Sequence, residues 1–452
     1  MEIVSLSVQV LGIFLAALAV PILAILLFQY AEAGLVLIAI IFLLETSFPS
    51  MPGLPLGILV YPQDIGYALL FVAALARILF EKKAQSIPPV WMFFGAVLAF
   101  SFLVGLAQYG KNAGVSFRTY FYFWCVVSYA ATFAYDETKV RRVLIGVVWI
   151  AVWVQLVALQ RWFGEATGLW LFTPPEEGWG TSPFRVVSSF EALALGDAVV
   201  IAFCLLSLGR GLRLARSTLP ILGPSLLVLQ HRSVWLAVFA GIATAMRFGG
   251  KATKKSFNLA GTAFGAFAVA AVLAVVVLKG SGLTPVSQAV GESAKRAVLL
   301  EDTAGWRLYS WQQLVEKWAG GGIQVLAFGF PFGTSAERYS AETKSAGVVN
   351  VAAHNAYVQT LYNSGLVGIG CFLFFAFQVV SALWRQAEGD EYQGTSQALL
   401  ALIVCQLVYY VPYGVSSFQA ALMGIAVGYL RSCRSMPSPV SESSQRAVPP
   451  GL

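Results

Sequence analysis

The chain has 452 residues, of which 58% are hydrophobic and only 11% are charged, about half the charged share of an ordinary soluble domain. With a mean hydropathy of +0.74, so few charges could not cover the surface of a soluble globule of this length. The composition therefore predicts an integral membrane protein, and it excludes a soluble enzyme, a disordered chain, a collagen and a disulfide scaffold.

The surplus of positive charge, 29 Lys and Arg against 22 Asp and Glu, falls mostly in short segments between apolar runs. It therefore indicates membrane topology, and we expect no nucleic-acid partner. The five cysteines show no metal or redox spacing, so we interpret them as small apolar fillers. No basic residue precedes the first apolar run, and a removable signal peptide is not expected.

Apolar stretches near the length that crosses a bilayer recur along the chain and predict an all-α polytopic membrane protein. They lie at 22–45, with an earlier run at 6–21, and at 63–80, 88–107, 114–134, 143–162, 189–208, 217–230, 233–248, 257–278, 361–384, 396–411 and 414–430. One kinked crossing near the N-terminus gives about 12 spans, whereas two crossings broken near residues 29–32 give about 13. We favour 12.

Basic residues collect in connections on alternate sides, which the positive-inside rule assigns to the cytoplasm. The long segments 163–188 and 279–353 then face outward. The resulting regions are transmembrane helices within 1–278, an outer loop with short amphipathic helices at 279–353, C-terminal transmembrane helices at 354–430, and a disordered cytoplasmic tail at 431–452.

Residues 305–319 in the outer loop have helical periodicity, with one apolar face. That face carries Leu308, Trp311, Val315 and Trp318. Its tryptophans suit the membrane–water boundary, where simple anchoring is favoured over guidance of a lipid or glycan. Glycines at 320–322 end the predicted helix, and 328–333 predicts a turn.

The two histidines of the chain, His231 and His354, both fall on the predicted outer face. Histidine suits a general base at neutral pH. His354 opens a predicted helix, whose N-terminus disfavours the imidazolium. The alternative is an interfacial histidine that only forms a hydrogen bond.

Arginines on the predicted outer side form the second candidate group. They are Arg118, Arg161, Arg185, Arg232, Arg296, Arg307 and Arg338. Guanidinium forks suit diphosphate oxygens and need no metal, although any single arginine could instead extend to the lipid headgroups. Arg232 lies between two apolar segments, where it is costly unless it faces a polar cavity or partner.

Acidic residues in or near the spans are Asp64, Glu191 and Asp197. They could pair with the arginines, which we favour for Asp197, or mark an ion pathway, which would favour a transporter. The chain contains no P-loop, HExxH or paired CxxC motif, and residues 46–62 contain no carboxylate. We therefore predict no metal and no cofactor.

Several short pieces of sequence form a recognisable set. The most specific is His354-Asn355 leading into Gly-Leu-x-Gly at 365–368, and the others are 185–190 (RVVSSF), 231–236 (HRSVWL), 307–311 (RLYSW) and 328–333 (FGFPFG). In their order and topology they resemble the O-antigen ligase and polymerase superfamily of bacterial envelope enzymes. Two positions depart from that pattern: Ser188 replaces a glycine, and His231-Arg232-Ser233 replaces Ser-Arg-Gly.

The resemblance implies a metal-independent glycosyltransferase at the outer face of the bacterial inner membrane. Its donor would be a glycan on undecaprenyl diphosphate, its acceptor a glycan or lipid core, and other polysaccharide assembly proteins could be partners. By the same resemblance, Arg185, Arg232 and Arg307 would bind the diphosphate, and His354 would act at the acceptor hydroxyl. Supporting positions would be His231, Asn355, Tyr357 and Arg338.

The sequence leaves two questions of function open. A ligase that transfers finished chains and a polymerase that extends them fit equally well. A transporter or flippase of a lipid-linked glycan is the rival from another class, and it would not depend on a positioned base at His354.

Overall fold

A computed structural model describes residues 19–49, 53–55, 59–81, 87–174, 185–207, 212–248, 303–340, 345–349, 353–389 and 393–435. Helices dominate these residues. The helices in chain order are α1 (Ala19–Gln29), α2 (Ala31–Ser47), α3 (Pro62–Phe80), α4 (Pro89–Tyr109), α5 (Lys111–Ala131), α6 (Glu137–Thr167), α7 (Ser189–Ser207), α8 (Leu212–Val228), α9 (Arg232–Phe248), α10 (Thr303–Ala319), α11 (Gly322–Phe328), α12 (Ala356–Glu388), α13 (Gln393–Tyr409) and α14 (Ser417–Ser435).

Five of the described helices, α3, α4, α6, α7 and α12, are long and apolar enough to cross a membrane, and α1 and α13 are shorter apolar helices. The chain is thus a multi-pass, helical membrane protein. The count of 12 spans stays a prediction, because the predicted span at 257–278 lies outside the described residues. Of the tail predicted at 431–452, residues 431–435 continue α14 and are not disordered, and the rest lies outside the described residues. The chain does break between α1 and α2, at Tyr30.

Two small antiparallel hairpins qualify the all-α prediction. Strands β1 (Leu54–Pro55) and β2 (Leu59–Val60) pair before α3. In the outer loop, β3 (Ala336–Ser340) pairs with β4 (Ser345–Val349) from Ala336↔Val349 to Ser340↔Ser345. The outer loop thus contains a hairpin as well as the short helices that the sequence predicts there. Backbone groups outside a helix still need partners, and the hairpin supplies them.

Helix α7 is the most enclosed of the long apolar helices, and it packs against α6, α8, α9 and α13. Small residues on α7 let the neighbouring backbones approach closely. A Cβ at Gly196 would lie 2.6 Å from the Val238 side chain of α9. This central helix begins directly after the segment that carries Arg185.

Arg161, near the end of α6, fixes that segment in place. Its side chain is fully buried, and its guanidinium donates to the carbonyls of Thr46, Thr173 and Val186 at 2.7, 3.1 and 2.9 Å. Glu191 lies 3.8 Å from the same group. Because all these partners belong to the protein, Arg161 joins α2, α6 and the start of α7.

Helix α12 contains a break at Gly365, where φ is 62° and ψ is −165°. The glycine-rich turn after α11 docks against this break, and the Phe330 N–H donates to the carbonyl of Tyr362 at 2.7 Å. A Cβ at Gly365 would overlap the carbonyl of Ala327. The turn predicted at 328–333 is confirmed, and its glycines permit contact between two backbones.

Candidate active site

The connection between α13 and α14 forms the centre of the candidate site. It carries Tyr413, whose ring stacks on Tyr409 with centroids 5.0 Å apart. The carbonyls of Tyr410 and Tyr413 both accept from the Ala356 N–H, at 2.9 and 2.8 Å. These bonds satisfy a free N–H at the start of α12 and hold this connection against it.

Arg307 reaches the same connection from α10. Its guanidinium carbon lies 4.9 Å from the centre of the Tyr413 ring, and Nη1 donates to the carbonyl of Pro412 at 3.3 Å. It also forms a hydrogen bond with the Tyr413 hydroxyl. A charged side chain is thus held against an aromatic face and two oxygen acceptors.

Arg185 lies immediately before α7. Its Nη2 donates to the carbonyl of Gln230 at 3.1 Å, and its charge acts on both Tyr413 and His231. The buried Nε of Arg185 has no hydrogen-bond partner among the described residues. This arginine therefore retains a donor that an anionic ligand could engage.

Arg232 is the first residue of α9 and is half-buried. Gln230, in the preceding turn, has a φ of 56°, and its carbonyl accepts from both the Arg232 N–H and Arg185. The neighbouring Ser233 forms a hydrogen bond with the Tyr413 hydroxyl. The start of α9 therefore lies beside the arginines of the site.

His354 faces Tyr413 edge to face, with ring centroids 6.3 Å apart and planes at 89°. It lies two residues before α12 rather than opening it, and its φ is 48°. The helix is instead capped by Asn355, whose Oδ1 accepts from the N–H groups of Tyr357 and Val358 at 2.9 and 3.0 Å. The cap fixes the direction in which the chain leaves His354.

The supporting positions have structural partners. The Tyr357 hydroxyl donates to the carbonyl of Leu407 at 2.7 Å, which braces α12 against α13. His231 is buried, and its Nε2 donates to the carbonyl of Val187 at 3.0 Å. Arg338 lies in β3, and its side chain falls outside the described residues.

The pKa of His231 is lowered to about 4, first by burial and then by the charge of Arg185, and the bond to Val187 opposes the change. His231 therefore stays neutral at physiological pH. At Tyr413, burial raises the pKa, but Arg307 and Arg185 and the hydrogen bonds from Arg307 and Ser233 outweigh it. The net pKa of Tyr413 lies below its ordinary value.

The acidic residues divide into paired and unpaired groups. Asp64 lies 2.9 Å from Arg118 Nε, and Glu191 accepts from the Ser188 N–H at 2.6 Å while facing Arg161. Ser188, which stands where a glycine was expected, caps α7 in return. Asp197 was expected to pair with an arginine, and that prediction was wrong for the described residues, where neither of its buried oxygens has a hydrogen-bond partner.

The helix predicted at 305–319 is confirmed as α10, but its tryptophans pack on the protein. Trp311 Nε1 donates to the carbonyl of Ala353 at 2.8 Å, and Trp318 Nε1 donates to the carbonyl of Val325 at 3.0 Å. Leu314 is buried with Ala353 and Tyr362. This face therefore holds the residue before His354 in place, which membrane anchoring alone did not predict.

These contacts bring Arg185, Arg307 and His354 together around Tyr413. Arg118 and Arg161 lie in structural contacts instead, and Arg296 is outside the described residues. Among the described residues, no group of three His, Cys, Asp or Glu side chains could hold a metal ion. The arrangement offers two cations and an imidazole at one place, which suits an anionic substrate beside a proton acceptor.

Comparison with known families bears on the same residues. Residues 219–373 match the family model described as O-antigen ligase. This match confirms the resemblance to the O-antigen ligase and polymerase superfamily and indicates a glycosyl-transferring membrane enzyme. No curated protein matches the chain.

The O-antigen ligase match begins in α8 and ends in α12, and it includes Arg232, Arg307 and His354. Arg185 and Tyr413 lie outside the matching segment but reach the same site. Sequence reasoning missed Tyr413. The available signal was its position at the end of a span predicted to face outward, in Tyr409-Tyr410-Val411-Pro412-Tyr413, where a turn with several aromatic residues meets the other outer connections.

Proposed function

We propose that this protein transfers a glycan from undecaprenyl diphosphate to an acceptor hydroxyl at the outer face of the bacterial inner membrane. The observation that carries the proposal is that Arg307 contacts Tyr413, next to His354, and that the charge of Arg185 acts on the same tyrosine. The O-antigen ligase match supports the same class of reaction. A glycan or a lipid core would serve as acceptor, so both ligation and polymerisation fit.

In the proposed reaction, His354 accepts the proton of the acceptor hydroxyl as its oxygen attacks C1 of the donor sugar. The new C–O bond forms while the bond from C1 to the diphosphate oxygen breaks. The electron pair of that bond leaves with the lipid diphosphate. Arg185, Arg232 and Arg307 stabilise the negative charge that collects there, in a site with little water to screen it.

The partly buried positions of Arg185 and Arg307 support this use. Each guanidinium is oriented by a backbone carbonyl, of Gln230 and Pro412 respectively. Fixed orientation reduces the freedom that a flexible side chain would lose on binding a diphosphate. A leaving group that is already activated requires neither a nucleotide nor a metal in this scheme.

His354→Ala tests the proposal against transport of a lipid-linked glycan. We expect glycan transfer to fall by about 10²–10⁴-fold, the contribution of a positioned base. The measurement is polymer formation in a deletion strain that expresses each variant at equal level. A flippase would retain most of its activity, and such retention would contradict the enzymatic proposal.

The lipid-linked glycan that accumulates in the deletion strain separates the remaining alternatives. Long chains on undecaprenyl diphosphate would identify a ligase, and single repeat units a polymerase. Repeat units confined to the cytoplasmic side would favour a flippase. Reporters inserted after residue 250 and near residue 290 should report the cytoplasm and the outside, respectively.

A further inference from the structure

We propose that Tyr413 is a positioning residue that holds Arg307 ready for the donor's diphosphate, within reach of the charge of Arg185, and aligns it with His354. The inference rests on the proposed function and adds a residue from outside the O-antigen ligase match. It stands on the contacts of the phenol ring, of its hydroxyl and of the Tyr413 backbone.

The ring of Tyr413 restrains Arg307. The guanidinium lies over the ring at 4.9 Å, and the adjoining Pro412 carbonyl accepts from Nη1 at 3.3 Å. Arg307 rises from α10, while Tyr413 follows α13. The ring therefore joins an arginine of the outer loop to the helical bundle, and it limits the rotamers of a side chain that is otherwise flexible.

The hydroxyl of Tyr413 interacts with both arginines, by a hydrogen bond with Arg307 and through the charge of Arg185. It also forms a hydrogen bond with Ser233. The charged and titratable groups that face it are Arg307 from α10, Arg185 from before α7, His354 from before α12 and Tyr409 from α13. A neutral oxygen thus binds Arg307 while the charge of Arg185 acts on it, and a phosphate oxygen is a stronger ligand for arginine donors.

The backbone of Tyr413 adds the link to His354. Its carbonyl accepts from the Ala356 N–H at 2.8 Å, two residues after His354, whose ring meets the Tyr413 ring at 89°. One residue therefore contacts Arg307 through its hydroxyl and ring and also lies against the ring of the proposed base. Simple packing would not require the hydroxyl.

Tyr413→Phe tests the role because it keeps the ring and removes only the hydroxyl. The probe is tritiated undecaprenyl diphosphate without a glycan, bound to the purified full chain in detergent and measured by scintillation proximity. Undecaprenyl monophosphate serves as the reference ligand. At pH 7.5 we expect Tyr413→Phe to bind the diphosphate about tenfold more weakly. This loss corresponds to about one charge-assisted hydrogen bond that no longer orders Arg307.

The pH profile separates positioning from packing. As pH rises through the pKa of Tyr413, the phenol loses its proton and its negative charge competes for Arg307 and Arg185. The unaltered chain should therefore bind the diphosphate less well at alkaline pH, and Tyr413→Phe should lack this alkaline loss. Ser233→Ala removes a hydrogen bond that lowers this pKa, so the loss should move to higher pH.

Tyr410→Phe is the matched control. Its hydroxyl is buried in the same connection and has no hydrogen-bond partner among the described residues, so affinity and pH profile should not change. If Tyr413→Phe is unstable on heating, the shift in the alkaline loss of binding in Ser233→Ala serves as the test instead. Unchanged affinity and an unchanged alkaline loss in Tyr413→Phe, or no shift in a Ser233→Ala chain that binds normally, overturn the role of Tyr413.

The proposed function fails in a distinguishable way. In that case the unaltered chain would bind the monophosphate and the diphosphate equally, and Arg307→Ala would bind like the unaltered chain. That result overturns both proposals. The unaltered chain could instead prefer the diphosphate, lose that preference in Arg307→Ala and keep its affinity in Tyr413→Phe. That result overturns only the inference about Tyr413.

Discussion

The N–H of Phe330 donates a 2.7 Å hydrogen bond to the carbonyl of Tyr362, and this bond connects the glycine-rich turn of the outer loop to the broken helix α12. The two pieces of sequence motif are therefore one structural unit. Ser101 of α4 closes the unit by donating to the carbonyl of Asn363 at 2.7 Å. Carbonyls released by the break thus have partners within the protein.

Gly365→Ala should disrupt this unit. The residue has a φ of 62°, and a Cβ would overlap the carbonyl of Ala327. We expect a loss of roughly 2 kcal/mol or more of stability, measured by thermal unfolding in detergent. Gly370→Ala in the same helix meets nothing within 4 Å, and it should leave the unfolding midpoint unchanged or raise it slightly. Equal midpoints for the two variants would contradict the docking described here.

Arg161→Lys should be strongly destabilising although it preserves the charge. Lysine cannot reach the carbonyls of Thr46, Thr173 and Val186 together as the guanidinium does, so buried acceptors would lose their donors. The free energy of unfolding should fall by roughly 3 kcal/mol. The exposed Arg142, on the same helix, gives the control Arg142→Lys, which should unfold like the unaltered chain.

His231 makes stability depend on pH. Its pKa is lowered to about 4 in the folded protein, against an ordinary value of 6.5, so the unfolded chain takes up a proton first as pH falls. Stability from this group is complete above pH 6.5 and declines between pH 6.5 and about 4. The free energy of unfolding of His231→Gln should differ less between pH 7.5 and pH 5 than that of the unaltered chain. An identical difference would show that His231 does not titrate as described.

Arg307→Lys should reduce glycan transfer by at least about tenfold, because lysine lacks the planar fork that meets both Tyr413 and a phosphate group. The variant should fold, since α10 keeps its contacts through Trp311 and Leu314. Polymer yield in the deletion strain is the measurement. Arg434→Lys, at an exposed position in α14, is the control, and equal yields from both variants would remove Arg307 from the site.

A chelator should not inhibit the purified protein, since the proposed chemistry assigns charge stabilisation to arginines. Activity would be compared with and without EDTA, at fixed ionic strength, because arginine–phosphate contacts are sensitive to salt. Loss of transfer that is restored by Mg²⁺ or Mn²⁺ would require a different mechanism.

Hydropathy and periodicity predicted the positions of the described apolar helices and of α10 because both signals are local. Residue type and predicted side of the membrane made seven arginines and two histidines candidates, and the family resemblance selected Arg185, Arg307 and His354 among them, together with Arg232. Their convergence could not be predicted, since it depends on contacts between distant segments such as Arg307 with Pro412. Neither could the burial of Arg161, because its partners are backbone carbonyls, which every residue type provides equally.

Asp197 and Tyr413 both show that the sequence alone does not give the contacts between distant segments. For Asp197 a partner was predicted that is absent from the described residues, and for Tyr413 the contacts were not predicted. Counting charges suggested an arginine partner for Asp197, yet none of the described arginines approaches it closely enough to form a hydrogen bond. Tyr413 was overlooked because tyrosines are common at membrane boundaries. Its importance follows from the residues that the fold brings to it, and Arg185, Ser233, Arg307 and His354 come from four separate parts of the chain.

The bond from the Ala356 N–H to the Tyr413 carbonyl also limits how such proteins can be recombined. A chimaera that exchanges only residues 219–373, the O-antigen ligase segment, would carry His354 into a host whose last two helices supply a foreign connection. The transplanted histidine would then lack its native backbone support and its aromatic neighbour. A functional exchange should include residues 410–416. The part of the chain that must be exchanged together is therefore larger than the segment by which the family is recognised.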